Sequence, residues 1–121
     1  MVMEKINLKN KFSDLLEYWS PRVISEMNDY QIKIVKIKGD FIWHNHENTD
    51  ELFYVIEGKM NIHFHDSTVV LENGDLFVVP RGVDHMPSAE TECHVMLIEP
   101  KGTKNTGNRD TDLTAENDIW I

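Results

Sequence analysis

The sequence predicts an all-β chain, folded as an antiparallel sandwich or barrel, with a short helix in front and an extended arm behind. Three observations carry this. Between Val23 and Glu99, short segments of strand-like texture follow one another at near-regular spacing. Turn residues punctuate them, at Gly39-Asp40, Asn48-Thr49-Asp50, Gly58-Lys59, Asp66-Ser67, Asn73-Gly74-Asp75 and Pro80. Helical spacing is confined to the stretch that precedes them. Many short strands joined by tight turns bury one face each, and closing them into a barrel removes exposed sheet edges.

The helix is predicted over about 7–19. Leu8, Phe12, Leu15, Leu16 and Trp19 form one apolar stripe at a period near 3.6, Asn7 stands as the N-cap, and Pro21 blocks continuation. In the next segment Tyr30, Ile32 and Ile34 alternate with Gln31 and Lys33. The phase then slips at Val35 and leaves Ile37 out of register, the mark of a bulge or of two buried faces. Leu52 to Ile56 is an apolar run. Met60, Ile62 and Phe64 alternate with Asn61, His63 and His65. Thr68 to Leu71, Leu76 to Val79 and Cys93 to Glu99 complete the strands, the last one ended by Pro100. The reading is one domain over 1–121, with a barrel over about 22–99 and an arm over 100–121. The arm is rich in Gly, Asn, Thr and Asp. Its alternatives are docking on the barrel or on a partner, anchored by Trp120, or fraying.

Composition removes several function classes. A chain of 121 residues is one domain with a core of its own. Twelve Lys and Arg against 21 Asp and Glu give a net charge of −9, so there is no basic footprint for nucleic acid or an anionic membrane surface. No apolar run is long enough to span a bilayer, and the first residues carry no apolar signal core. A single cysteine, Cys93, excludes an internal disulfide and a Cys-rich zinc module, which makes a reduced cytoplasmic setting the default expectation. Cys93 itself reads as a small buried hydrophobe.

The histidines carry the chemistry. His44 and His46 stand two apart on a predicted strand and so share a face. Glu51 follows across the Asn48-Thr49-Asp50 turn and begins the returning strand. Two imidazoles and a carboxylate meeting from a hairpin make an open metal site, and His85, after Pro80-Arg81-Gly82-Val83-Asp84, can add a fourth ligand. His63 and His65 repeat the spacing but alternate with core-directed residues and have no following carboxylate. They and His94 are read as structural.

Two segments resemble the paired motifs of the cupin superfamily. Gly39-Asp40-Phe41-Ile42-Trp43-His44-Asn45-His46, continuing through Glu51 to Gly58, is similar to the first motif. Gly74-Asp75-Leu76-Phe77-Val78-Val79-Pro80-Arg81-Gly82-Val83-Asp84-His85 is similar to the second. Ala89 stands where the second motif usually has an asparagine that is not normally a ligand. The resemblance covers roughly Ile32 to Glu99, with both motifs in order. It implies a cupin-type double-stranded β-helix, or jelly-roll barrel, of the small single-domain bacterial kind described as mannose-6-phosphate-isomerase-like. It also implies ligands His44, His46, Glu51 and His85 for one divalent transition metal per chain.

Those ligand types suit Fe, Mn, Ni, Zn or Cu without choosing among them. Four protein ligands leave up to two positions of an octahedral ion for substrate, water or dioxygen, which fits isomerase, lyase or dioxygenase chemistry on a small organic metabolite. The alternative is a non-catalytic metal or small-molecule binding module or sensor with the same barrel. Strand phase assigns Ile42, Phe53, Val55, Met60, Ile62 and Phe64 to an apolar pocket around the site. Arg81 stands at the mouth, either as an anion contact or as a solvated turn residue. Small cupins often pair through their sheets, so a homodimer is expected.

Overall fold

The computed structural model describes residues 3–121, in which one helix, α1 (Leu8–Ser13), precedes seven strands: β1 (Arg22–Met27), β2 (Tyr30–Asp40), β3 (Glu51–Glu57), β4 (Lys59–His63), β5 (Thr68–Glu72), β6 (Leu76–Val79) and β7 (Met86–Pro100). All the pairings are antiparallel. The main path runs β1-β2-β7-β3-β6, and β4 joins β5 to the start of β7. At 15 residues, β7 begins at Met86 and not at Cys93 as predicted. Its first residues pair with β4, and its later ones lie between β2 and β3. Both halves of the jelly roll are therefore stitched to one strand. No helix among the described residues is long and apolar enough to cross a membrane.

The core follows from strand alternation, with one inversion. Val35, Ile37, Phe53, Val55, Met60, Ile62, Leu71, Val79, Cys93, Val95 and Leu97 fill the interior. On β2 the same face carries Gln31 and Lys33, both buried, whereas Ile32 and Ile34 point outward. There is no slip at Val35. Both faces of β2 are covered, because α1 lays Phe12 and Leu15 over Ile24 and Ile34 as a second, outer core. The register shift comes later, between Ile37 and Gly39 in the pairing with β7, so Gly39-Asp40 ends a strand where a turn was expected. Gly58 has φ +106, and a Cβ there would meet the Cys93 Cα at 3.0 Å, so this turn requires glycine twice over.

The helix is shorter than its apolar stripe. Asn7 caps it as predicted, its side chain accepting from the Asn10 backbone N–H at 3.0 Å, but the helix ends at Ser13 and not near 19. The stripe divides between two destinations. Leu15 stays in the outer core and Leu16 is 93% exposed. Trp19, at φ 61, turns away to stack on Phe41 with ring centroids 4.7 Å apart. Its backbone N–H donates to the Lys36 carbonyl at 2.9 Å and its indole N–H to that of Lys38 at 2.9 Å. Six residues hold a helix only through tertiary packing, and β2 wins the competition for Trp19.

The arm beyond Pro100 is a series of turns folded onto the barrel. The Val23 backbone receives it on both sides, through the Ile119 carbonyl at 2.8 Å and the Ile121 N–H at 3.1 Å. Trp120 does not anchor it by its side chain, which is 49% exposed and bonded only to Asp118. Within the arm Thr106 is fully buried, its hydroxyl donating to the Arg109 carbonyl at 2.6 Å. The arm is tied to the barrel by the Asn105 amide donating to the Trp19 carbonyl at 3.2 Å and the Arg109 guanidinium to that of Trp43 at 3.1 Å.

Candidate metal centre

Three segments deliver the candidate ligands. His44 and His46 lie on the connection between β2 and β3, which is irregular where a strand was predicted. Its regular pairing is a single bridge, His44 to His85. That bridge does the work of the expected strand. The His44 N–H donates to the His85 carbonyl at 3.1 Å, and the His85 N–H returns the bond to the His44 carbonyl at 2.9 Å. On the outside, the Asn45 amide donates to Asp84 Oδ1 at 2.7 Å and ties the same two segments again. Glu51 enters as the first residue of β3, on the same face as Phe53 and Val55.

The result is a buried cluster. The ligand atoms of His44, His46, Glu51 and His85 all lie within 4.8 Å of one another. Two donors on opposite sides of one ion, each about 2.1 Å from it, stand about 4.2 Å apart, so the cluster is close to the size that an ion requires. His46 Nε2 and His85 Nε2 lie 3.2 and 3.6 Å from Glu51 Oε1. Neither is aligned for a hydrogen bond, and both remain buried without a partner.

The tautomers sharpen this. His44 Nδ1 sits 2.9 Å from the Ile42 carbonyl, and His85 Nδ1 sits 2.9 Å from that of Val83. A carbonyl only accepts, so each Nδ1 carries a proton and Nε2 is the ring nitrogen left to face the cluster. His85 Nε2 lies 3.6 Å from Glu51 Oε1 with no hydrogen bond between them, and both atoms are able to ligate one divalent cation. The donor set therefore fits a metal.

Electrostatics point the same way. Burial, aided by the nearby His85, lowers the pKa of His44 to about 4, so its ring is neutral and ready to ligate at neutral pH. Burial works to raise the Glu51 pKa. Contacts from His46, His85 and Glu99 overcome it and hold Glu51 well below the usual carboxylate range. Glu99, buried in its turn and facing the Glu51 charge, is pushed well above that range despite Lys33.

An apolar cavity of about 40 Å³ abuts His44, lined by Trp19, Val35, Phe41, Phe53, Met60 and Leu97 among others. Of the side chains assigned to a pocket by strand phase, Phe53 and Met60 reach it. Val55 and Ile62 are fully buried core, and Ile42 is half-buried and outside the lining. Phe64 is half-buried, with its ring 6.5 Å from that of His85. Arg81 is an exposed turn residue whose backbone N–H donates to Asp50 Oδ1 at 2.9 Å. On the other side of the cluster an open cleft of about 620 Å³ reaches His46 between Thr49 and the arm residues Lys101, Thr103, Lys104 and Asn108.

The remaining histidines stand apart. His63 bridges Ser88 Oγ at 2.8 Å and Thr68 Oγ1 at 3.2 Å. His65 stacks on Trp43, and His94 stacks on Phe12. Cys93 is buried, and burial raises its thiol to about 11. Sequence patterning missed Lys33, Glu99 and the arm as neighbours of the site. The polar interruptions of β2 were the one available signal, and they pointed to the wrong face.

Comparison with known proteins agrees with this architecture. The cupin domain family model matches residues 32–99, more than half of the chain. A cupin-2 domain containing protein from Shewanella frigidimarina is 52% identical, with a TM-score of 0.79 over 79% of this chain and 94% of that one. Protein NMB1881 from Neisseria meningitidis is 36% identical, with a TM-score of 0.74 over 81% of this chain and 100% of that one. The uncharacterized protein YdbB of Bacillus subtilis is 35% identical over 79 residues, which span 64% of this chain and 70% of that protein.

Proposed function

Since this chain belongs to the cupin family, we propose that it is a cupin-type metal-dependent enzyme, binding one divalent transition ion through His44, His46, Glu51 and His85 and acting on a small organic metabolite. The observation that carries this reading is the pair of partnerless buried Nε2 atoms, on His46 and His85, beside a carboxylate held ionised. A structural cluster of the same residues would spend those atoms on hydrogen bonds.

The chain's own residues shape what such a site accepts. The apolar cavity beside His44 has room for a few water-sized groups and an almost wholly apolar lining, so it suits a small apolar portion of a substrate. The cleft at His46 is wider and polar, and it gives the reacting end its route in. No acid or base other than His44 lines the apolar cavity. A bound ion would supply Lewis-acid polarisation of a carbonyl or, if redox-active, dioxygen chemistry.

The test is elemental analysis of untagged protein purified without chelator, beside a variant carrying His44→Ala, His46→Ala and His85→Ala. About one equivalent of metal in the parent and none in the variant is the expected result. Iron then directs screening to oxygen-dependent reactions, and zinc or manganese to isomerase and lyase reactions. A parent that stays metal-free after reconstitution overturns the proposal and leaves a binding barrel. Turnover that survives in His46→Ala and Glu51→Ala overturns the catalytic part.

A further inference from the structure

Lys33 and Glu99 lie inside the barrel, 4% and 1% exposed, and neither is a candidate ligand. Lys33 reaches inward from β2 opposite Leu97, and Glu99 from β7 one layer further on, opposite Gln31. Lys33 Nζ donates to Glu99 Oε1 at 2.9 Å and to the carbonyl of Thr103, in the arm, at 3.2 Å. Leu52 pairs with Ile98, so the same register sets Glu99 opposite Glu51 across β3 and β7, and both side chains are buried. The second Glu99 oxygen, Oε2, is buried without a hydrogen-bond partner. A chain of polar groups thus runs from the arm through Lys33 and Glu99 to a candidate metal ligand.

Stability does not account for this chain. Buried ion pairs are often replaced by apolar residues of similar volume at no loss. The surrounding layer, Val35, Leu97 and Phe53, shows that this interior accepts such residues. What a Lys–Glu pair supplies, and a Met–Leu pair would not, is a buried polar group set against Glu51. Groups behind a metal ligand orient it, and their removal typically weakens metal binding by about 10–100-fold.

We propose that Lys33 and Glu99 are positioning residues that hold the Glu51 carboxylate towards His46 and His85. The inference rests on the metal reading above. Its test measures Zn²⁺ affinity by competition with a chromophoric chelator, the Co²⁺ absorption spectrum, and thermal stability of the metal-free protein. The variants are Lys33→Met, Glu99→Leu and Glu99→Gln. Lys33→Met and Glu99→Leu are expected to weaken Zn²⁺ binding by about 10–100-fold and to alter the Co²⁺ bands. Glu99→Gln, whose amide can both accept from Lys33 and donate to Glu51, is expected to stay within about 3-fold of the parent. Should Glu99→Leu fail to fold, Lys33→Met against Glu99→Gln carries the comparison.

Unchanged Zn²⁺ affinity and Co²⁺ spectra in Lys33→Met and Glu99→Leu, with only the melting temperature moved, overturn the proposal and leave a structural pair. Parent protein that binds neither Zn²⁺ nor Co²⁺ overturns the metal reading itself, which is a different and separately visible failure.

Discussion

At the scale of single residues, the site is governed by which nitrogen of each ring is free. The Ile42 and Val83 carbonyls hold the Nδ1 protons of His44 and His85 and leave Nε2 for a cation. Removing one ring is expected to abolish stoichiometric metal retention. His85→Ala, dialysed against metal-free buffer and assayed by elemental analysis, should retain less than about a tenth of the parent content. The depressed His44 pKa also has a sign. Its folded value, about 4, lies below the ordinary value of 6.5, so between those values the unfolded chain binds more protons. Stability of the metal-free protein is therefore full above pH 6.5 and falls as pH drops towards 4. The loss from this group is on the order of 3 kcal/mol. Denaturant melts of apo-protein at pH 7, 5.5 and 4.5 measure it, and a flat profile contradicts it. Cys93, with its thiol raised to about 11 by burial, should resist a thiol reagent at pH 8 in the native state and react fully in denaturant.

At the scale of elements, two appendages press on the barrel with different consequences. The helix α1 packs on the outer face of β2, away from the ligands. Phe12→Leu is expected to lower stability by about 1 kcal/mol and to leave Zn²⁺ affinity unchanged, as melting and chelator competition would show. The arm reaches the ligand loop itself. The Asn108 N–H donates to the Asn45 carbonyl at 3.0 Å, and Asn108 Oδ1 accepts from the Asn45 N–H at 3.1 Å. Gly107, at φ +60, lies so close that an added Cβ would overlap the Asn45 carbonyl. Gly107→Ala is therefore expected to destabilise by more than about 1 kcal/mol and, unlike Phe12→Leu, to weaken metal binding, because Asn45 sits between His44 and His46. A variant with lowered melting temperature but parental Zn²⁺ affinity would separate the arm from the site.

At the scale of the whole molecule, the sheet leaves apolar side chains in solvent along β5 and β6. Val70 is 48%, Leu76 59% and Val78 43% exposed, and β6 is an edge of the main sheet. Edge strands of this composition invite pairing. The homodimer expected from the sequence would cover them, and light scattering at micromolar concentration should then give twice 14.1 kDa. A species at the monomer mass rejects it.

The all-β class, the turns other than Gly39-Asp40 and three of the four candidate ligands were legible in the sequence because each depends on local rules, and His85 was legible through the second cupin-like motif. Strands alternate with a period of two, turns need Gly, Pro, Asn or Asp, and H-x-H followed by a glutamate is a spacing visible along the chain. What the tertiary structure decided is everything set by competition between distant groups. The predicted helix lost Trp19 to β2 because two carbonyls there bind it. Ile32 and Ile34 face outward, and Gln31 and Lys33 inward, because α1 supplies a second apolar cover and Glu99 a buried hydrogen-bond partner for Lys33. On β2, apolar and polar residues share both faces, so periodicity alone had no means of choosing the interior. That choice depends on partners 66 residues away in sequence, and it is also what places Lys33 and Glu99 behind Glu51.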